Sequence, residues 1–439
     1  MRNFILLSFC LVMAPGAVFG QHSNWDKAIN AAERAYGDQH YREAEVQFVR
    51  AEKEAESFGP SDHRLAMTLN NLGGLYLREA RYAEAEPLFK RALVIWEKGG
   101  ESTNGDRATA LNNLGALYAY QSRFAEAEPI YLQCLTLSEK SLGADHPSVA
   151  STLNNLGALY WEEGKFTEAE PFYRRAVFIR EKNLGPENPE LASSLNNLAA
   201  LEIRQGKYTE GESLFKRALA IRQKTLGSEH PDVANSLNNL GALYSLQGRY
   251  SEAEPMYKRS LYIAEKSLGP DHPDVASDLN NLAELYRSEK NYAEAEPLYK
   301  RALSIREKTL GPDHPDVAQS LDNLAAVLVL KCKQINTDLL YLRALAIRKK
   351  VYGPESPLVA ASLNDLGVAY TGEGKFTEAE QAYSDAMTII AKQPNPDPPA
   401  MARVYSNMAA LYQREGKHRK ARKMEEKANS FLALESSTT

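Results

Sequence analysis

The chain has 439 residues, 44% hydrophobic and 25% charged, with a formal net charge of -5. A single hydrophobic core does not grow to that length, so the sequence calls either for several domains or for a repeat in which each segment buries surface only against its neighbours. The charges are of both signs and interspersed, which excludes the concentrated positive field that nucleic-acid binding requires.

Residues 1–3 make a short cationic start and residues 4–13 an apolar run of signal-peptide length, followed by small residues at Ala14, Gly16 and Ala17. Residues 1–20 are therefore expected to be a signal peptide cleaved before Gln21, which implies a bacterial protein exported to the periplasm or the outside of the cell. The alternative is an uncleaved membrane anchor, because residues 4–20 are almost continuously apolar at the lower edge of a spanning length. Cys10 follows Phe9, where a lipoprotein signal carries a small residue. Cys134 and Cys332 lie between four and five repeats apart and are not expected to pair.

From there a Leu-Asn-Asn-Leu phrase recurs at steps of 42 residues, its second apolar position falling at Leu72, Leu114, Leu156, Leu198, Leu240, Leu282, Leu324, Leu366 and Met408. A period of this length, kept without insertion, is the signature of a repeat architecture. In one repeat, Leu153, Leu156, Gly157 and Tyr160 share one face of a helix A that starts at Pro147. Gly164 makes the turn. Thr167 is expected to cap a helix B that carries Ala169, Tyr173, Ala176 and Val177 inward, tolerates Pro171 in its first turn and stops at Gly185-Pro186. The small residue at Gly73, Gly115, Gly157, Gly241 and Gly367 is expected to let the two helices approach opposite alanines such as Ala169. Cys134 stands where other repeats carry Ala92, Ala176 and Ala218, and reads as a small core residue.

At Leu156, Gly157, Tyr160, Ala169, Tyr173 and Ala176 the spacing resembles the tetratricopeptide consensus. The 42-residue length and the Leu-Gly-Pro-Asp-His-Pro-Asp-Val-Ala connection resemble the variety found in kinesin light chains and many bacterial proteins. The resemblance covers about residues 24–431. It implies an all-α, right-handed superhelical solenoid of about ten antiparallel helix pairs, with repeats at 24–58, 62–103, 104–145, 146–187, 188–229, 230–271, 272–313, 314–355, 356–397 and 398–431. Residues 432–439 then make a flexible tail, the first repeat an N-terminal cap, and the polar last helix, with Lys417, His418, Arg419, Lys420, Arg422 and Lys423, a solvent-facing C-terminal cap or a contact for an acidic partner. The repeat at Leu324 departs from the pattern: Cys332 takes the turn-glycine place and Thr337 the packing-alanine place, the mark of either a weak spot or two compensating reading-frame changes.

The fold implied is a non-catalytic scaffold that binds protein or peptide in the concave groove of the A helices, with no cofactor, nucleic acid or small-molecule substrate. Helical spacing turns Ser151, Asn154, Ala158, Trp161 and Glu162 toward that groove. The first asparagine of each pair then forms a ladder, Asn70, Asn112, Asn154, Asn196, Asn238, Asn280 and Asn364, with Asp322 and Ser406 as substitutions. In kinesin light chains groove asparagines bind peptide, and the resemblance implies that role here; the competing reading is that these amides bond between repeats and hold the stack. The second asparagine, from Asn71 to Asn323, is expected to lean toward the next repeat. Specificity is expected from the groove positions that vary, Arg78, Tyr120, Trp161, Arg204, Leu246 and Arg287. The second function considered is an assembly element that self-associates, or docks into a larger envelope complex, through its outer face or caps. His146, His230, His272 and His314 recur one per repeat, too far apart to share an ion, and belong to the loop before helix A.

Overall fold

A computed structural model describes residues 23–37, 40–331, 337–393 and 397–436; the expected signal segment, Cys10, Cys332 and residues 437–439 lie outside the described residues. Among the described residues the chain is helical, with no strand. In order the helices are α1 (Asn24–Gly37), α2 (Tyr41–Glu56), α3 (His63–Arg78), α4 (Tyr82–Glu97), α5 (Asn104–Tyr120), α6 (Phe124–Leu142), α7 (Pro147–Glu162), α8 (Phe166–Leu184), α9 (Pro189–Arg204) and α10 (Tyr208–Leu226). They continue as α11 (Pro231–Leu246), α12 (Tyr250–Leu268), α13 (Pro273–Ser288), α14 (Tyr292–Leu310), α15 (Pro315–Leu330), α16 (Thr337–Tyr352), α17 (Pro357–Glu373), α18 (Phe376–Ala391), α19 (Pro398–Arg414) and α20 (His418–Ser436). Odd-numbered helices are the A helices and even-numbered ones the B helices. The chain divides into two compact units, Met1–Ile263 and Ala264–Thr439, each a stack of such pairs.

The packing follows from the repeat pattern. In the first unit α8 is buried on two sides: Ala176 and Ile179 meet Val149, Ala150 and Leu153 of α7, and Ala169 and Tyr173 meet Leu198 and Leu201 of α9. Every repeat thus shares its core with the next, which is why none needs a core of its own. The helix A glycine lies under the aromatic ring of helix B as well as close to the alanine position: a Cβ on Gly157 would stand 2.6 Å from Cε1 of Tyr173, and in the next repeat a Cβ at Gly211, in the alanine place, would stand 3.0 Å from the carbonyl oxygen of Ala199, in the glycine place. The fully buried ring takes the volume that a side chain on helix A would need.

Helix ends differ from the sequence reading in three places. α8 begins at Phe166 with Lys165 in the capping position, so Thr167 is inside the helix and caps nothing. Pro171 is then the sixth residue, in the second turn, and the carbonyl it cannot pair belongs to the exposed Thr167. α20 continues to Ser436, beyond the start of the expected tail, because no Gly or Pro interrupts it and Phe431 stacks on Tyr405 with ring centroids 5.7 Å apart. The histidines before the A helices carry a role that the sequence reading lacked. Nδ1 of His146, His230, His272 and His314 accepts the backbone N–H two residues on at 3.1–3.2 Å, the work done by Asp62, Asn188 and Ser356 elsewhere.

Around the anomalous segment α15 ends at Leu330 and α16 starts at Thr337, with residues 332–336 outside the described residues. Thr337 is buried and its hydroxyl donates to Glu373 at 2.9 Å. Asp338 accepts from Lys375 at 2.6 Å. It thereby keeps the carboxylate by which the preceding B helix holds the turn cation in other repeats, as Glu86 holds Arg123 at 3.0 Å and Glu212 holds Arg249 at 3.1 Å.

Candidate amide rows on the A helices

The seven first-position asparagines, Asn70, Asn112, Asn154, Asn196, Asn238, Asn280 and Asn364, are all buried, none more than 7% exposed. They therefore do not line an open face. On α9 the exposed stripe runs through Ser193, Asn197 and Arg204, and on α11 through Asn235, Asn239 and Leu246. One residue is 100° of helix, so on α9 and α11 the second asparagine lies on this stripe while the first is rotated against the neighbouring A helix, whereas on α3, α5 and α7 the second asparagine, Asn71, Asn113 or Asn155, is buried as well. Of the residues expected toward the groove in α7, Ser151, Trp161 and Glu162 are half-buried and Asn154 and Ala158 are buried.

Between successive A helices the amides make rungs of two kinds. In the closed kind the second asparagine donates to the first asparagine of the preceding repeat: Asn113 to Asn70 at 3.1 Å, Asn155 to Asn112 at 2.7 Å and Asn407 to Asn364 at 2.8 Å. In the open kind the first asparagine's Oδ1 is buried and finds no partner among the described residues, as for Asn154, Asn196 and Asn280. Facing Asn154 and Asn196 in register are Asn197 and Asn239, half-exposed and with no side-chain partner among the described residues.

A buried arginine that the sequence analysis missed separates the two kinds. Arg180 of α8 donates to the Glu190 carbonyl and the Ser194 hydroxyl, both at 2.9 Å, and to the Ser151 hydroxyl at 3.2 Å. Arg222 of α10 does the same to Asp232, Ser236 and Ser193, and Arg306 of α14 to Asp316, Ser320 and Ser277. These are the junctions with open rungs. Where the rung is closed, the B helix carries Trp96, Ser138 or Ile390 at the same place. At α8 the cause is visible: Ser194, held by Arg180, also accepts from Asn154 Nδ2 at 2.9 Å, drawing that amide away from Asn197. An Ile-Arg pair followed fourteen residues later by Ser was the available signal.

The α16 junction is a variant. Arg348 donates to Ser362 at 2.5 Å and pairs with Asp322, which stands in the first-asparagine place, at 2.6 Å. Burial pushes the Asp322 carboxyl up to about 6; Arg348 opposes this and Asp365, in the second-asparagine place, adds to it.

The variable positions divide by how far they are committed. Arg287 is half-buried and held by Glu284 through Nε at 2.6 Å, and Glu284 also accepts from the fully buried Tyr299 at 2.8 Å. Arg78 donates to the Tyr41 hydroxyl at 3.3 Å, and Tyr120 is exposed. Arg204 is exposed and lies over two rings, 5.7 Å from Trp161 and 5.1 Å from Phe166, which pack edge to face. It has no ion-pair partner among the described residues and sits two helical turns beyond Asn197 on the same stripe. Cys134 is buried, donates to the Ala108 carbonyl at 3.1 Å and has its thiol pushed up by burial, in keeping with a core position. Among the described residues no helix is long and apolar enough to cross a membrane.

A tetratricopeptide repeat model matches residues 64–140, 106–182, 190–266, 246–308, 279–334, 340–392 and 369–429, and a second matches 317–358. No curated protein matches the chain. Among solved structures, a putative kinesin light chain from Podosopora anserina, with nearly identical TPR-like repeats, is 29% identical over 47% of this chain and 97% of its own, with a TM-score of 0.39. BtubC (BKLC) from P. vanneervenii is 25% identical over 54% of this chain and 92% of its own, with a TM-score of 0.42. A Rap protein complexed with competence and sporulation factor is 14% identical over 86% of this chain and all of its own, with a TM-score of 0.53, a likeness of fold alone. With family matches running over most of its length, the chain belongs to the tetratricopeptide repeat family of protein-interaction scaffolds.

Proposed function

We propose that this scaffold holds an extended segment of another protein on the A-helix face of its first unit, across α9 and α11. The observation that carries the reading is the pair of consecutive open rungs, where Asn197 and Asn239 present uncommitted amides above the unpartnered carbonyls of Asn154 and Asn196. A primary amide both donates and accepts, so such a row matches a peptide backbone whatever its side chains. Arg204, Trp161 and Leu246 flank the row and would supply preference. The test is capture from the native organism's envelope and culture fluid with the parent chain and with Asn197→Ala/Asn239→Ala. The variant must first keep its helicity and melting temperature. A partner retained equally by both sinks the reading.

A second reading, assembly through the outer face, is favoured by one observation. Val94, Phe178 and Tyr262 occupy the same position on α4, α8 and α12 and are 52%, 58% and 48% exposed. Sedimentation of Phe178→Glu against the parent separates it from peptide binding: a loss of oligomer supports assembly, and two monomers remove it. Export is part of the proposal and rests on residues 1–20 alone; intact mass of the native protein, with or without those residues, decides it.

A further inference from the structure

We infer that the segment bound on this row runs as a polyproline II helix, presenting its backbone to the amides at every third residue. The inference rests on the reading just given and adds the conformation and composition of the ligand. Cα atoms of α7 and α9, and of α9 and α11, approach within 8 Å, and packed helices have axes about 8–10 Å apart. Asn197 and Asn239 stand at the same position on neighbouring A helices, so their amides are separated by about one such spacing. A β-strand returns the same face every two residues, or about 7 Å, and places its third residue, about 10 Å on, toward the opposite side. An α-helix returns after about 5.4 Å. Polyproline II has three residues per turn and about 3.1 Å of rise, so the same face returns after about 9 Å. It also leaves every backbone N–H and C=O without an internal partner, which is what a row of amides can use.

The chemistry required of the ligand follows. The unpartnered acceptors, Oδ1 of Asn154 and Asn196, are buried beneath half-exposed amides that can turn either end outward. The residue over each rung therefore needs its N–H and cannot be proline, whereas the two residues between rungs can be. A carboxylate close to the segment suits the exposed guanidinium of Arg204, held over Trp161 and Phe166.

The experiment selects a random linear peptide library on the full chain and sorts the binders by sensitivity to Asn197→Ala/Asn239→Ala and, separately, to Arg204→Ala. All three substitutions change side chains that have no hydrogen-bond or ion-pair partner among the described residues, and they leave the core untouched. One sensitive synthetic peptide is then scanned with proline. The expected result is a tenfold or greater loss of affinity at two positions three residues apart, one over each rung, and little change at the two between. Loss at alternate positions, or at all positions equally, overturns the polyproline conformation and leaves the amide-row reading standing. Binders indifferent to both sets of variants, or no binder at all, overturn that reading itself.

Discussion

The stretch from α3 to α7 and the stretch from α7 to α11 carry the same Asn-Asn phrase and use it differently. In the first, Asn113 and Asn155 close the rungs by bonding back to Asn70 and Asn112, and the intervening B helices carry Trp96 and Ser138. In the second, Arg180 and Arg222 tie the A helices together through Ser194 and Ser236, and the amide rungs stand open. The same split holds in the second unit, where Arg306 goes with an open rung at Asn280 and Ile390 with a closed one between Asn407 and Asn364. The lesson is that stacking adjacent repeats needs one polar tie at this depth. When a guanidinium supplies it, the asparagines are released from holding the stack and become available to something else.

The largest effect that would break this comparison is removal of the arginine. Arg180→Ala deletes three charge-assisted hydrogen bonds from a buried position and is expected to cost about 3 kcal/mol. Because contacts in a repeat array are nearest-neighbour, the loss should appear in hydrogen exchange as deprotection centred on α7–α9. Arg180→Ser, which copies the α6 junction, should recover part of the stability by letting Asn197 close on Asn154. Uniform deprotection of the whole unit, or equal losses in the two variants, would show that arginine and amide ties do not substitute for one another.

Next in size is the junction where the two kinds of tie collide. Asp322 titrates at about 6 in the folded chain, against about 4 for an unperturbed carboxyl, so ionisation opposes folding. The stability linked to this group is complete below about pH 4 and is lost as the pH rises through about 6. Asp322→Asn keeps the shape of the protonated acid and restores the residue found in other repeats. It is expected to add about 3 kcal/mol at pH 7.5 and almost nothing at pH 4, as read from urea unfolding at the two values. A destabilised variant at pH 7.5 would mean that the Arg348 pair outweighs the burial.

The fold was largely legible because its signals are local. The 42-residue register, Pro at the first turn of the A helices and a positive-φ Gly185 at the end of α8 each act within a few residues. What was not legible depends on neighbours. Leu153 and Leu156 place the core side of helix A, but not which flank the adjacent A helix covers, and that flank decides whether Asn196 or Asn197 reaches the surface. Against the core of its own repeat alone the first asparagine points outward; the next A helix is what covers it. The arginine tie is hard to see in sequence because Ile-Arg on a helix B reads as a charge on a solvated face, and the serine that it shares with the asparagine lies in the following repeat. In the anomalous repeat Asp338 preserves the carboxylate although the surrounding phrase is scrambled, which spacing alone displays once the role of Glu86 and Glu212 is known.

The smallest effect sharpens the comparison most, because it sets identical residues against each other. Asn155 is buried and donates to Asn112, whereas Asn197, one repeat on, is half-exposed and has no side-chain partner among the described residues. Asn155→Ala should cost about 1–2 kcal/mol, since it leaves a buried carbonyl short of a donor, and Asn197→Ala less than about 0.5 kcal/mol. Thermal melts of the two variants beside the parent measure both. The same pair read in a peptide-binding assay should reverse, with Asn197→Ala losing ligand and Asn155→Ala keeping it. Equal costs in the melts would mean that the open rung closes in solution, and the released amide, with the function built on it, would then have to be given up.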